Sequence, residues 1–148
     1  MYTGRYGNIQ GSTDKPRPKA YLKVVNPSSS SRYGEVEAIE AIVDSGATMT
    51  CIPESIIARV GYLEYSHQKV RDANNNVVLR KSYILNITIG NYTFNDLEVI
   101  GFSKSYALLG CDILNQSKIM LDAPNNRWIY NCPGKCLESD GTTVDATP

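Results

Sequence analysis

One carboxylate stands where this chain could do chemistry. In Ala41-Ile42-Val43-Asp44-Ser45-Gly46-Ala47-Thr48 an aspartate directly follows three apolar residues, so Asp44 falls where the backbone leaves a core. Ser45 and Gly46 then supply a small hydroxyl and a residue without Cβ, which suit a tight turn that another group can approach closely. A carboxylate so placed can serve as general acid or base. Taken alone, however, Asp-Ser-Gly is a common turn and decides nothing. Cys132 and Cys136 form a C-x-x-x-C pair. A tetrahedral zinc site needs about four ligands, and the only histidine, His67, is far off in sequence, so reduced thiols and no metal or other cofactor are expected. Cys51 and Cys111 read as small buried apolar residues.

Short strands must position these groups. Lys19 to Val25 is the first, stopping at Asn26-Pro27 and the serine run Ser28 to Ser31. Val36 to Val43 follows, with Val36, Ala38, Ala41 and Val43 set against Glu35, Glu37 and Glu40; its apolar second half, Ala41-Ile42-Val43, suits a strand buried on both faces. Met49 to Ile52 is a further strand. Pro53 to Gly61 predicts one helix, with Pro at its start, Glu54 in the first turn and Gly at the stop. Within Lys69 to Lys81, the run Asp72-Ala73-Asn74-Asn75-Asn76 is a turn between two strands. Tyr83 to Ile89 ends at Gly90-Asn91, and Thr93 to Ile100 continues beyond it. Ala107-Leu108-Leu109-Gly110 is apolar, and Asp112 stands where an N-cap to Ile113-Leu114 would be. Lys118 to Leu121 and Arg127 to Tyr130 flank a turn at 122–126 and form a closing hairpin. Many short strands with one or two short helices predict a closed all-β domain over residues 19–131. Residues 1–18, rich in Gly, Ser, Thr, Pro and charge, read as a flexible leader. Residues 132–148 read as a flexible tail or polyprotein linker.

Composition narrows the function. The 148 residues suffice for one domain, and 42% hydrophobic content allows a buried core. Fifteen basic and fifteen acidic residues cancel, so no whole-chain field favours nucleic acid or an anionic membrane. No apolar run has the length of a membrane span and no signal-peptide pattern opens the chain, so no membrane partner is expected. Acceptor-like sequons at Asn86, Asn91 and Asn115 are therefore read as chance.

Two motifs in order change the weight of Asp44. The segment through Asp44-Ser45-Gly46-Ala47 resembles the retropepsin signature, hydrophobic-hydrophobic-Asp-Thr/Ser-Gly-Ala. Leu108-Leu109-Gly110-Cys111-Asp112-Ile113-Leu114 resembles that family's downstream marker, in which apolar residues flank Gly-x-Asp/Asn. With the strand–turn–strand between them, the likeness runs from about Ala20 to Tyr130. It is greatest to proteases of plant pararetroviruses and related retroelements. Ser45 stands for the commoner Thr, and the turn tip is Asn-rich rather than Gly-rich.

The resemblance implies a closed retropepsin-like acid protease barrel, one subunit of a two-fold dimer. Its activity would be that of an aspartic endopeptidase cutting its own viral polyprotein. Because the chain has a single Asp-Ser-Gly, the second catalytic carboxylate would be Asp44 of another copy. Ser45 would fix the two loops across the dimer, Gly46 would admit substrate backbone, and Ala47 would complete the active-site loop. Asp72, Ala73, Asn74, Asn75 and Asn76 match the flap that closes over substrate, with Asn supplying positive φ. Leu109, Gly110 and Asp112 would be structural support, Asp112 capping a helix and pairing with a buried cation. The expected partners are a second copy and an extended peptide of the parent polyprotein, in host cytoplasm or virion rather than secreted. A non-catalytic retropepsin-like dimerisation or peptide-binding module is the alternative. A small nucleic-acid-binding β module is disfavoured by zero net charge and scattered tyrosines.

Overall fold

The protein is described by a computed structural model over residues 1–28, 34–61, 63–72, 74–131, 135–137 and 143–145. Thirteen strands are formed among these residues. They are β1 (Tyr2–Gly4), β2 (Tyr6–Gly7), β3 (Arg17–Val25), β4 (Glu35–Val43), β5 (Cys51–Pro53), β6 (Leu63–Arg71), β7 (Val77–Ile89), β8 (Tyr92–Phe102), β9 (Ala107–Leu109), β10 (Ile119–Asp122), β11 (Arg127–Tyr130), β12 (Lys135–Leu137) and β13 (Thr143–Asp145). Two short helices interrupt them, α1 (Glu54–Val60) and α2 (Cys111–Leu114).

The sheet closes on itself. Its strand order is β2-β3-β4-β9-β5-β8-β7-β6, and β3 also pairs with β7. That extra pairing, Lys23 with Thr88 to Val25 with Asn86, turns six strands into a ring and leaves β2 and β6 outside it. Inside lie Leu22, Val24, Ile52, Leu85, Ile87, Ile89, Val99 and Leu109, all at most 1% exposed. Alternating side chains on β3 and β7 reach this interior, as the period-two pattern requires. The expected closed all-β barrel is thus observed.

Helix α1 follows the sequence signals. Pro53 precedes it, Glu54 lies in its first turn and Arg59 in its last, Ile57 and Val60 are buried, and Gly61 ends it at φ 68°. The hairpin β6–β7 turns at Asp72–Asn76 as expected, and β10–β11 closes as an antiparallel pair around a 3-10 turn at Ala123–Asn125.

Four expectations are corrected. Residues 1–18 are not merely a leader: β1 pairs with β11, placing Tyr2 opposite Tyr130, and β2 pairs with β3. A leader rich in turn formers gives no periodic signal over strands of three and two residues. In β4, Ala38 is exposed rather than inward, because a bulge intervenes. Leu22 pairs with Ile39 and Val24 with Val36, so β4 carries one extra residue and Ala38 takes φ 56°. Cys51 and Cys111 are half-buried, not fully so. In the expected tail, β12 and β13 pair antiparallel, while Cys132 and the rest of that segment lie outside the described residues.

Candidate active site

Asp44 stands one residue past the end of β4, where parallel β9 runs alongside, Val43 opposite Leu109. Its amide donates to Leu109 O at 3.0 Å, so the exit from the strand is held by the neighbour. The turn is closed by the Ala47 amide donating to Asp44 O at 3.1 Å. The Gly46 amide donates to Asp44 Oδ1 at 2.9 Å, which orients the carboxylate from within its own loop. A Cβ at Gly46 would stand 3.1 Å from that oxygen, so a side chain here would crowd the carboxylate. Asp44 is half-buried, while Ser45 and Gly46 are exposed.

The downstream motif buttresses this loop from behind. The Cys111 amide donates to Ala47 O at 2.8 Å, and the Asp112 amide to Thr48 O at 3.2 Å. Cys111 Sγ reaches Ser45 O at 3.1 Å. Gly110 is required by close packing: a Cβ there would meet Met49 O at 2.7 Å and Thr50 N at 2.8 Å. Leu109 is fully buried in the barrel.

Asp112 plays a different part from the one expected. The N-cap of α2 is Gly110, without a side-chain cap bond, and Asp112 lies inside the first turn. Its partner is Thr50 rather than a cation: Oδ2 accepts the Thr50 amide at 2.9 Å and Oδ1 accepts the Thr50 hydroxyl at 2.7 Å. The same hydroxyl accepts the Gly110 amide at 3.2 Å. Thr50 is wholly buried and ties β5, β9 and α2 together beneath the Asp44 loop. Sequence reasoning missed it, because a threonine two residues past the motif gives no sign of a partner sixty residues away. Cys51 beside it has its thiol pushed up to about 11, chiefly by burial, then by the negative charges of Asp112 and Asp44.

The turn of the β6–β7 hairpin is built by Asp72. Its Oδ1 accepts the amides of Asn74 and Asn76, each at 2.9 Å, and the Asn75 amide donates to Asp72 O at 2.9 Å. Asn75 adopts φ 66°, the conformation expected of an asparagine replacing glycine. Arg71 braces it by donating to Asn75 O at 3.1 Å. Ala73 lies outside the described residues. Hydrogen bonds join Asp44 and its loop to Leu109, Cys111 and Asp112; among the described residues none joins the hairpin turn to Asp44–Ala47.

A six-stranded closed barrel carrying an Asp-Ser-Gly turn braced by a Gly-x-Asp segment is the retropepsin-like aspartic protease fold. Residues 34–116, more than half of the chain, match the family described as "gag-polyprotein putative aspartyl protease", and the chain belongs to that family. Solved structures agree in fold. The EIAV protease complexed with the inhibitor HBY-793 is 16% identical with a TM-score of 0.55, covering 76% of this chain and 100% of that one. A retropepsin-like aspartic protease from Rickettsia conorii is 14% identical, also with a TM-score of 0.55, covering 86% of this chain and 87% of that one. A foamy viral protease-reverse transcriptase in complex with an RNA/DNA hybrid is 17% identical with a TM-score of 0.50 over 68% of this chain; the match spans 12% of that longer chain. No curated protein sequence matches significantly.

Proposed function

We propose that this chain is a working aspartic endopeptidase in which Asp44 of two copies forms the catalytic pair, and that its substrate is an extended segment of a viral-type polyprotein. The supporting observation is the geometry of the loop. Asp44 is fixed at one oxygen by the Gly46 amide and at its backbone by Leu109, on a turn whose Ser45 and Gly46 are exposed. That is a carboxylate held ready at a surface, not a cap consumed by its own structure.

Amide hydrolysis needs a base to take a proton from water and an acid to protonate the carbonyl oxygen. Two carboxylates brought close by a two-fold axis cannot both ionise readily, so they share one proton and titrate as a pair; aspartic proteases are the known instance of this behaviour. The ionised member activates water and the protonated member polarises the carbonyl. Substrate enters as an added strand between the β6–β7 hairpin and the barrel. The sign of the pH dependence follows. Raising pH removes the proton that the acid member must donate, so cleavage favours acid.

The test is cleavage of denatured casein, and of the polyprotein in which the chain occurs, by the protein and by Asp44→Asn. Activity lost in a variant with an unchanged circular dichroism spectrum supports the reading. Equal cleavage by a pure Asp44→Asn protein would refute it. A chain that dimerises yet leaves every substrate intact is a binding module instead.

A further inference from the structure

The face of the sheet opposite the barrel interior carries a continuous row that begins beside Asp44. Ile42 pairs with Leu108, Leu108 with Cys51, Cys51 with Ile100 and Ile100 with Ser82, across β4, β9, β5, β8 and β7. Residues in register share a face, and their neighbours along each strand take the other. Those neighbours, Ala41, Leu109, Ile52, Val99 and Tyr83, lie in the core, so the row itself is on the outer face. Asp44 follows Ile42 by two positions, the spacing that keeps a residue on the same side. Ile42 and Ile100 are 1% and 2% exposed, while Leu108 and Cys51 are half-buried. The floor next to the carboxylate is therefore apolar.

Arg80 breaks that character. It precedes Ser82 by two on β7, which returns its side chain to this face. Its positive charge offsets part of the upward push on the Cys51 thiol, as a guanidinium on the side of the row must. Arg80 is exposed, and its side chain makes no hydrogen bond or ion pair among the described residues. The carboxylates around it are engaged elsewhere. Glu98, two positions before Ile100 on β8, accepts Gln68 Nε2 at 2.8 Å and Ser82 Oγ at 2.7 Å through one oxygen. Gln68, the residue opposite Arg80, is thereby committed as well. Asp112 is taken by Thr50.

A guanidinium without a partner is well hydrated while the face is open. Once a peptide strand covers it, that water is lost, and the charge needs a counter-ion from the peptide. A carboxylate suits it best, since it can accept two parallel N–H bonds. A neutral side chain in the same place leaves the cation unpaired, so discrimination arises from a penalty as well as from a gain. Cys51 lies two strands from β4, about 10 Å at the usual interstrand spacing, which an extended peptide spans in about three residues.

We propose that Arg80 selects peptides carrying a glutamate or aspartate within about three residues of the cut, its guanidinium holding that side chain over the floor of Leu108, Cys51 and Ile100. This rests on the endopeptidase reading and adds what the site selects. The test gives the full chain a peptide mixture of varied sequence at about pH 5.5, where glutamate is ionised. Products are read by mass spectrometry, and cut peptides should be enriched in Glu and Asp at a position inside that window. A cut peptide and its counterpart with Gln in place of Glu should differ in kcat/KM by at least about tenfold, mainly through KM.

Arg80→Lys should keep part of that difference and Arg80→Gln should abolish it. Arg80→Glu should turn the preference toward Lys and Arg peptides, a reversal that a damaged fold could not produce. If that variant misfolds, the matched peptides with the parent and with Arg80→Lys still decide. Equal turnover of the matched peptides by the parent, or a preference for acid that survives Arg80→Gln, overturns the role of Arg80 and leaves the endopeptidase standing. A parent that cuts no peptide of the mixture overturns the endopeptidase reading, and the selection rule falls with it.

Discussion

Among single residues the chemistry converges on Asp44, and Thr50 ties together the segment that buttresses its loop. Its hydroxyl donates to Asp112 Oδ1 and accepts from the Gly110 amide, and Thr50 itself is wholly buried. Thr50→Val keeps the shape and deletes both bonds, leaving a buried amide and a carboxylate short of a partner. A loss of about 1–3 kcal/mol in denaturant unfolding is expected, with Thr50→Ser restoring most of it. If Thr50→Val unfolds at the same denaturant concentration as the parent, the network is not what holds the loop. Cys51 gives a second test. With its thiol pushed up to about 11, chiefly by burial, little thiolate exists at neutral pH. Alkylation by iodoacetamide at pH 8 should run about a hundredfold slower than for an exposed thiol of ordinary pKa, measured by mass spectrometry. Reaction at the ordinary rate would show that the thiol is not shielded.

At the level of elements, local signals were reliable where the reason for the element is local. Helix α1 announced itself through Pro53, Glu54 and Gly61, and the β6–β7 turn through its asparagines, because caps and turns are satisfied by near neighbours. Elements whose reasons are remote leave no local signal. By sequence Asp112 suits a cap, while its partner Thr50 stands just before β5. The alternation of β4 points Ala38 inward, but the bulge that turns it out depends on pairing with β3. Strands β1 and β2 gave no period at all, since β11 and β3 define them. The candidate catalytic residue was legible because its motif is contiguous; the scaffold that orients it was only half legible. The hairpin turn offers its own test. Asn75 holds φ 66°, so Asn75→Val should destabilise the turn by about 1–2 kcal/mol, while Asn75→Gly should be tolerated. Hydrogen exchange of the amides in β6 and β7 should accelerate in the valine variant alone; equal rates in both would mean that the turn does not govern the hairpin.

For the whole molecule, the decisive feature is that the N-terminal segment is part of the folded body. Trp128, fully buried, donates from Nε1 to Lys19 O at 2.7 Å and so locks β11 onto β3 of the barrel. Strand β1 covers this contact, and Gly4 lies against it so closely that a Cβ would collide with Trp128 Nε1 and stand 2.6 Å from Lys19 O. Tyr2 packs edge-on against the same indole, its ring centroid 5.6 Å away. Trp128 thereby couples the three-stranded sheet to the barrel, alongside the Tyr130 hydroxyl that donates to Ile113 O at 2.9 Å. Gly4→Ala tests the coupling. The extra methyl must displace β1 or the indole, at a cost of about 1–3 kcal/mol, which should lower the melting temperature by several degrees. Because Trp128 is the only tryptophan, its emission reports on this contact alone and should shift to the red as water reaches the ring. Deleting residues 1–7 should produce the same shift more strongly, while far-ultraviolet circular dichroism keeps the barrel's strand signal. Emission and melting unchanged by either alteration would mean that the N-terminal strands do not seal the barrel.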